Sequence, residues 1–104
     1  LLPIGGAYHS PLLVPGVERF DRQVRQAVRA APRVPLVSST SPRVHVEADD
    51  LAESLVRSLV LPVDWPAAVA AAAAAGAEQL VDAGPGDTLT RLARFLPVLP
   101  VLEP

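Results

Sequence analysis

The 104-residue chain contains no cysteine, no methionine, no lysine and no asparagine. Without cysteine there is no disulfide framework and no thiol chemistry, which fits a reducing compartment, the cytoplasm. The missing methionine, with leucine at position 1, reads as an absent start or as a piece of a longer chain. Every basic residue is therefore arginine; with abundant Ala, Pro and Val this suggests a GC-rich coding sequence, which bears on origin and not on function. Charge of one sign is lacking too. The net charge of -2 offers no electrostatic footprint for nucleic acid or an anionic membrane. Long apolar runs are absent: the weakly apolar stretch Ala67–Ala75 falls far short of the ~20 residues that span a bilayer. Leu1–Ala7 has neither the basic start nor the long apolar centre of a secretory signal.

What remains is a globular composition, 50% hydrophobic and 19% charged, in a chain long enough for one modest core. No internal repeat or linker interrupts it. Strand and helix patterns alternate, which predicts an α/β layer architecture. Leu1–Ala7 reads as an extended lead-in in which Gly5 and Gly6 allow close backbone approach. Ser10-Pro11 signals a helix start. Leu13, Val17, Phe20, Val24, Ala27 or Val28, and Ala31 then recur at helical spacing, with Pro15 expected to bend or delay the first turn. Pro32 and Pro35 end that helix. Val34–Ser38 predicts a short buried strand and Arg43–Val46 a second. Asp49 or Asp50 is expected to cap a helix with Leu51, Leu55, Val56 and Leu59 inward, ended by Pro62. Trp65-Pro66 opens an alanine-rich helix stopped by Gly76, with Trp65 as its anchor. Gln79–Asp82 predicts a strand and Gly84-Pro85-Gly86 a tight turn. Asp87 caps a last helix with Leu89, Leu92, Ala93 and Leu96 inward, and Pro97–Leu102 reads as an edge strand.

Few residues could carry chemistry. His9 stands where an extended segment meets a helix start, the kind of junction that lines ligand crevices in α/β proteins. A helix N-terminus disfavours imidazolium, so the ring could accept a proton as a general base; a merely solvated histidine is the plainer reading of that residue alone. Ser10 beside it reads as a cap, because chain neighbours rarely meet in attack geometry. His45, in a hairpin or loop and taken to have no acidic cluster or second ligand beside it, reads as a surface histidine, and no metal site is expected. The glycine turn at 84–86 lacks the longer loop and the lysine of a phosphate cradle, and reads as structural.

The neighbours of His9 add a second line. Gly6-Ala7-Tyr8-His9-Ser10-Pro11-Leu12-Leu13 resembles the histidine motif of the malonyl-CoA:acyl-carrier-protein transacylases, with an aromatic residue before the histidine and Ser-Pro-Leu after it. Ala31-Pro32-Arg33-Val34-Pro35-Leu36 is similar to a strand of that family. Leu55–Leu59 followed by Pro62-Val63-Asp64-Trp65 resembles one of its helices and the exit from it. Asp82–Gly86 with Leu89-Thr90 resembles its Gly-Pro-Gly turn. Four motifs in order cover nearly the whole chain.

The resemblance implies that residues 1–104 are the C-terminal portion of one acyltransferase domain, an α/β-hydrolase-like parallel sheet with flanking helices, incomplete by itself. It implies ping-pong transfer of a malonyl group from malonyl-CoA to the phosphopantetheine thiol of acyl carrier protein, with no permanently bound cofactor. Of the catalytic pair it assigns only the histidine, His9. The serine of a Gly-x-Ser-x-Gly elbow is nowhere in the sequence, and the arginine that meets the malonate carboxylate belongs upstream. Ser58 stands where the family usually has Gln, whose main-chain carbonyl orients the histidine; a carbonyl survives a side-chain change. Tyr8 is implied to shape the acyl pocket, an aromatic ring filling the space of an α-methyl group; packing under the helix is the plainer reading of that residue, and the two are compatible. Ser38-Ser39-Thr40 departs from an Asn common in the family, and Asp82 replaces Glu.

The glycine turn fits the fatty-acid enzyme better than the acyltransferase domains of polyketide synthases, which remain the in-class alternative. A second alternative is a non-catalytic remnant or interaction module, or half of a split enzyme, docking a carrier protein. On either reading the isolated chain is expected to be inactive and to leave sheet faces partly uncovered.

Overall fold

The structure, a computed structural model, describes residues 8–95 and 98–102. The extended lead-in expected at Leu1–Ala7, the inward position of Leu96 and the start of the last strand at Pro97 lie outside the described residues.

Ser10 opens a 3-10 helix, Pro11–Gly16, its Oγ accepting the Leu12 N–H at 3.3 Å. Pro15 sits inside that turn and has no N–H to extend an α-helical ladder, so the regular helix is delayed to α1, Val17–Ala27. Val24 is the buried centre of its apolar stripe, flanked by Val17, Phe20 and Val28. Arg22 and Arg25 on the other side pair with Glu18 and Asp21 one turn back, at 3.2 and 3.0 Å; such exposed pairs are worth a few tenths of a kcal/mol. The helix stops well before Pro32: Val28 is already extended, so Ala31 is not part of the stripe.

The next strands are shorter than the sequence suggests. β1 is Leu36–Val37 and β2 is Val44–His45, antiparallel, with Leu36 opposite His45 and Val37 opposite Val44. Val34 is 70% exposed, so the buried strand expected at Val34–Ser38 narrows to Leu36–Val37: among the described residues no further strand pairs with these two. Helix α2, Ala48–Arg57, has Glu47 and not an aspartate at its N-cap position, with no side-chain capping hydrogen bond. Asp49 and Asp50 fall in its first turn, where the helix dipole favours negative charge. Leu51, Ala52, Ser54 and Val56 are its buried residues. Ala52 and Val56 close on Val24 of α1, with Leu55 alongside, and form the core cluster.

Asp64 caps α3, Trp65–Ala74, by accepting the Ala67 N–H at 3.1 Å, and Pro66 occupies its first turn, where a missing N–H costs nothing. Gly76 ends it at φ +105°. β3, Leu80–Val81, pairs in parallel with β4, Val101–Leu102. Between them run the turn at 84–86, with Gly84 and Gly86 at φ +70° and +80°, and α4, Thr88–Ala93, of which only Ala93 is buried. Leu89 and Leu92, expected inward, are 42% and 43% exposed.

Two separate two-stranded sheets therefore stand in place of one. The accessible surface is 7685 Å², against about 5,600 Å² for a folded monomer of this mass. The radius of gyration is 14.8 Å, against about 13 Å for a compact domain of this length. A helical core at α1–α2 gathers Val24, Ala52 and Val56, Ala68 and Val69 are buried on α3, and the sheets leave much of their apolar surface open.

Candidate functional site

His9 precedes the 3-10 helix in the left-handed region, at φ 55°. A non-glycine residue there costs on the order of 1–2 kcal/mol, and such strain concentrates at working residues. The conformation brings the ring to the far end of α2: His9 Nδ1 lies 2.6 Å from the carbonyl oxygen of Ser58, forty-nine positions along the chain. Ser58 is the C-cap of α2. Its carbonyl belongs to the last turn, whose oxygens have no partner inside the helix and form the negative end of the dipole. A carbonyl can only accept, so Nδ1 donates and the neutral ring keeps its lone pair on Nε2, facing away. The Ser58 hydroxyl is used elsewhere, donating to the Leu55 carbonyl at 2.6 Å.

Tyr8 is 64% exposed and so does not pack beneath the helix; it stands next to His9, open to solvent. Ser10 is engaged as a cap. The structure thus joins His9 to Ser58 and leaves Tyr8 beside them.

His45 is not a surface residue. It is 0% exposed, the most buried side chain among the described residues. Strand alternation turns it inward while Val44 stays half-buried. Its Nδ1 lies 2.8 Å from Asp50 Oδ2 and its Nε2 3.2 Å from the Ser41 carbonyl. Asp50 also receives the Arg43 guanidinium in a fork, Nη1 on Oδ2 at 2.7 Å and Nη2 on Oδ1. The Arg43 hydrogen bonds, and then the one to His45, hold the Asp50 carboxyl well below the usual carboxylate range. The acidic partner was present in the sequence five residues on. What concealed it was the turn into α2, which folds Asp50 back over the strand. Among the described residues no group of His, Cys, Asp or Glu could hold a metal ion, and no helix is long and apolar enough to cross a membrane.

Comparison with known proteins bears on what this arrangement belongs to. No protein-family model matches the chain. It is 32% identical over 93 residues to the malonyl CoA-acyl carrier protein transacylase of Salmonella typhimurium, covering 89% of this chain and 30% of that protein. This chain is related to the malonyl CoA-acyl carrier protein transacylases. The match lies in the C-terminal part of those proteins, and the chain spans about 30% of the length of the curated relatives it matches. The fold agrees. The transacylase of Synechocystis sp. PCC 6803 superposes with a TM-score of 0.86 at 25% identity, over 97% of this chain and 35% of that one. A malonyl-transacylase in complex with its type II PKS acyl-carrier protein, PlMCAT:AntF, superposes with a TM-score of 0.83 at 27% identity, over 96% and 33%. The small α/β unit described above is thus one third of the transacylase fold, which is why its sheets lack neighbours.

Proposed function

We propose that this chain supplies the histidine part of a transacylase centre that moves a malonyl group from malonyl-CoA to the phosphopantetheine thiol of acyl carrier protein. The observation that carries this reading is the 2.6 Å contact from His9 Nδ1 to the Ser58 carbonyl. It fixes the tautomer whose Nε2 can take a proton, the part a carboxylate plays in a Ser-His-Asp triad. The serine comes from polypeptide outside this sequence, as a longer chain or as a partner.

In the first half-reaction Nε2 of His9 takes the serine proton as the serine oxygen attacks the thioester carbonyl, and returns it to the departing CoA thiolate. In the second, Nε2 takes the proton of the carrier thiol, the sulfur attacks the malonyl ester, and the serine oxygen is reprotonated as it leaves. Serine and histidine need no resident cofactor for this. Tyr8 beside His9 limits the volume next to the acyl carbon. Tyr8→Ala is expected to raise relative use of methylmalonyl-CoA by about 10- to 100-fold. The lack of cysteine supports a reducing compartment, the cytoplasm, as the place of the reaction.

The test is intact-mass measurement of the protein, together with the polypeptide bearing the Gly-x-Ser-x-Gly elbow, after brief exposure to malonyl-CoA. One malonyl adduct, discharged by holo carrier protein and slowed by His9→Ala by about 10²- to 10⁴-fold, is the expected result. An unchanged rate in His9→Ala overturns the assignment. Absence of any adduct favours the non-catalytic module instead. The polyketide alternative keeps the chemistry and changes the carrier, a reading supported by the likeness to PlMCAT:AntF. Discharge by a type II polyketide carrier but not by a fatty-acid carrier would select it.

A further inference from the structure

The transfer chemistry leaves the most buried polar side chain, His45, without a task. Its surroundings give it one. His45 ends β2, and the chain enters α2 three residues later. Its Nδ1 holds Asp50 in the first turn of that helix, its Nε2 holds the Ser41 carbonyl on the loop between β1 and β2, and Arg43 forks onto the same Asp50 carboxylate. The strand pair and the start of α2 are thereby tied through one imidazole, whose two nitrogens both donate when the ring is protonated, since a carboxylate and a carbonyl only accept. The same loop holds the start of α3, the Ser39 carbonyl accepting the Asp64 N–H at 2.6 Å.

The other end of α2 carries the Ser58 carbonyl that accepts the hydrogen bond from His9 Nδ1. Between Asp50 and Ser58 the helix is a rigid rod of about 12 Å, at about 1.5 Å per residue. Its middle rests on α1 through Ala52 and Val56. A second tie at the first turn limits any pivot of the helix on that contact. His9 hangs from the opposite member of that pair, through the 3-10 helix that leads into α1. Any pivot of α2 on α1 therefore moves Ser58 relative to His9.

We infer that His45, Asp50 and Arg43 are positioning residues for His9, fixing the start of α2 so that its last carbonyl meets Nδ1. This rests on the reading of His9 as the base, but the test does not depend on turnover. The chain has two histidines, so long-range proton–nitrogen NMR correlations of the imidazoles assign each by deletion of the other. With the His9 ring neutral, that residue in the unaltered chain is expected to show the Nδ1–H tautomer. In Asp50→Ala, and in His45→Ala where it folds, the His9 nitrogen shifts are expected to move toward the averaged values of a free imidazole. Asp50→Asn, which can still accept from His45, is expected to restore most of the native pattern.

The Ala52 and Val56 amides report separately whether the α1–α2 core is intact. Averaged His9 shifts with those amides still dispersed support positioning. Unchanged His9 shifts in Asp50→Ala with an intact core overturn it, and the network is then only a local tie. If the core is lost in Asp50→Ala, Arg43→Ala decides the same question, since it removes the fork and leaves His45 on Asp50. The tautomer effect without malonyl transfer in the presence of the serine-bearing polypeptide would uphold the network and sink the functional reading; the reverse result would do the opposite.

Discussion

Asp82 and Thr90 meet twice through a single carboxylate oxygen. Oδ2 of Asp82 accepts the Thr90 N–H at 3.1 Å and the Thr90 hydroxyl at 2.9 Å, while Oδ1 accepts the Gly84 N–H at 3.0 Å. One side chain thereby closes the turn through both left-handed glycines and fixes the start of α4 behind it. A turn that needs φ above zero at two positions is entropically expensive, and three donors on one carboxylate offset that cost.

Asp82→Ala is accordingly expected to release the turn. The Thr90 amide should lose its protection from hydrogen exchange, and the melting temperature should fall by several degrees. Thr90→Val removes only the hydroxyl donor and should show a smaller loss, with the backbone bond kept. Equal effects of the two would mean that the N–H bond contributes little.

Acid should unfold the chain through the same group and through Asp50. Both carboxyls are held below their ordinary range, Asp82 by the Gly84 and Thr90 donors and Asp50 by Arg43 and then His45. A carboxyl with a lowered folded-state pKa adds stability that is fully present above its unfolded value, near pH 4, and that fades as pH falls toward the folded value. The melting temperature should therefore hold steady in these groups down to about pH 5 and then drop. Asp50→Asn and Asp82→Asn should each lower stability at pH 7 and flatten the acid slope. A slope unaltered in both variants would place the acid sensitivity elsewhere.

The element order was legible in the sequence because its punctuation is strong. Ser10-Pro11, Trp65-Pro66, Gly76 and the 84–86 glycines each impose a local geometry that tertiary packing does not override, and each stands where a turn or helix end is observed. Strand lengths were not legible. Val34–Ser38 reads as a buried strand and Gln79–Asp82 as a strand, yet only Leu36–Val37 and Leu80–Val81 pair, because a strand is defined by its neighbours and those neighbours are not in this sequence. His45 was misjudged for a related reason. Its partners, the Ser41 carbonyl and Asp50 in the next helix, are brought to it only by the hairpin and the turn. The Ser58 carbonyl was reachable through family likeness alone, since nothing about a serine at that position distinguishes its backbone oxygen.

That backbone origin gives a sharp expectation for Ser58. Ser58→Ala deletes the hydroxyl bond to Leu55 but leaves the carbonyl in place. Stability should change by about 1 kcal/mol or less, and the His9 tautomer seen by NMR should be unaltered. Ser58→Pro removes instead the N–H that bonds the Ser54 carbonyl and distorts the last turn; the tautomer should then average. A tautomer lost in Ser58→Ala would show that the side chain, not the backbone, controls the ring.

The uncovered sheets lead to the last expectation. Val34 and Val81 are 70% and 69% exposed, and Leu36 and Leu102 are 37% and 52% exposed on strand pairs of two residues each. A two-stranded pair is marginal in water by itself, and open apolar edges invite pairing with another chain. The α1–α2 core should nonetheless persist: Val56→Ala deletes two buried methyl groups and should cost about 2 kcal/mol, whereas Val81→Ala, already solvated, should change stability by less than about 0.5 kcal/mol. The chain alone should therefore sediment with a weight that rises with concentration and should bind a hydrophobic dye while its helical signal remains. Replacing Val34 and Val81 with Thr should reduce both the association and the dye binding without loss of helix. A concentration-independent monomer with a sharp cooperative melt would mean that two short sheets and one helical core suffice, and that the excess surface is tolerated rather than covered.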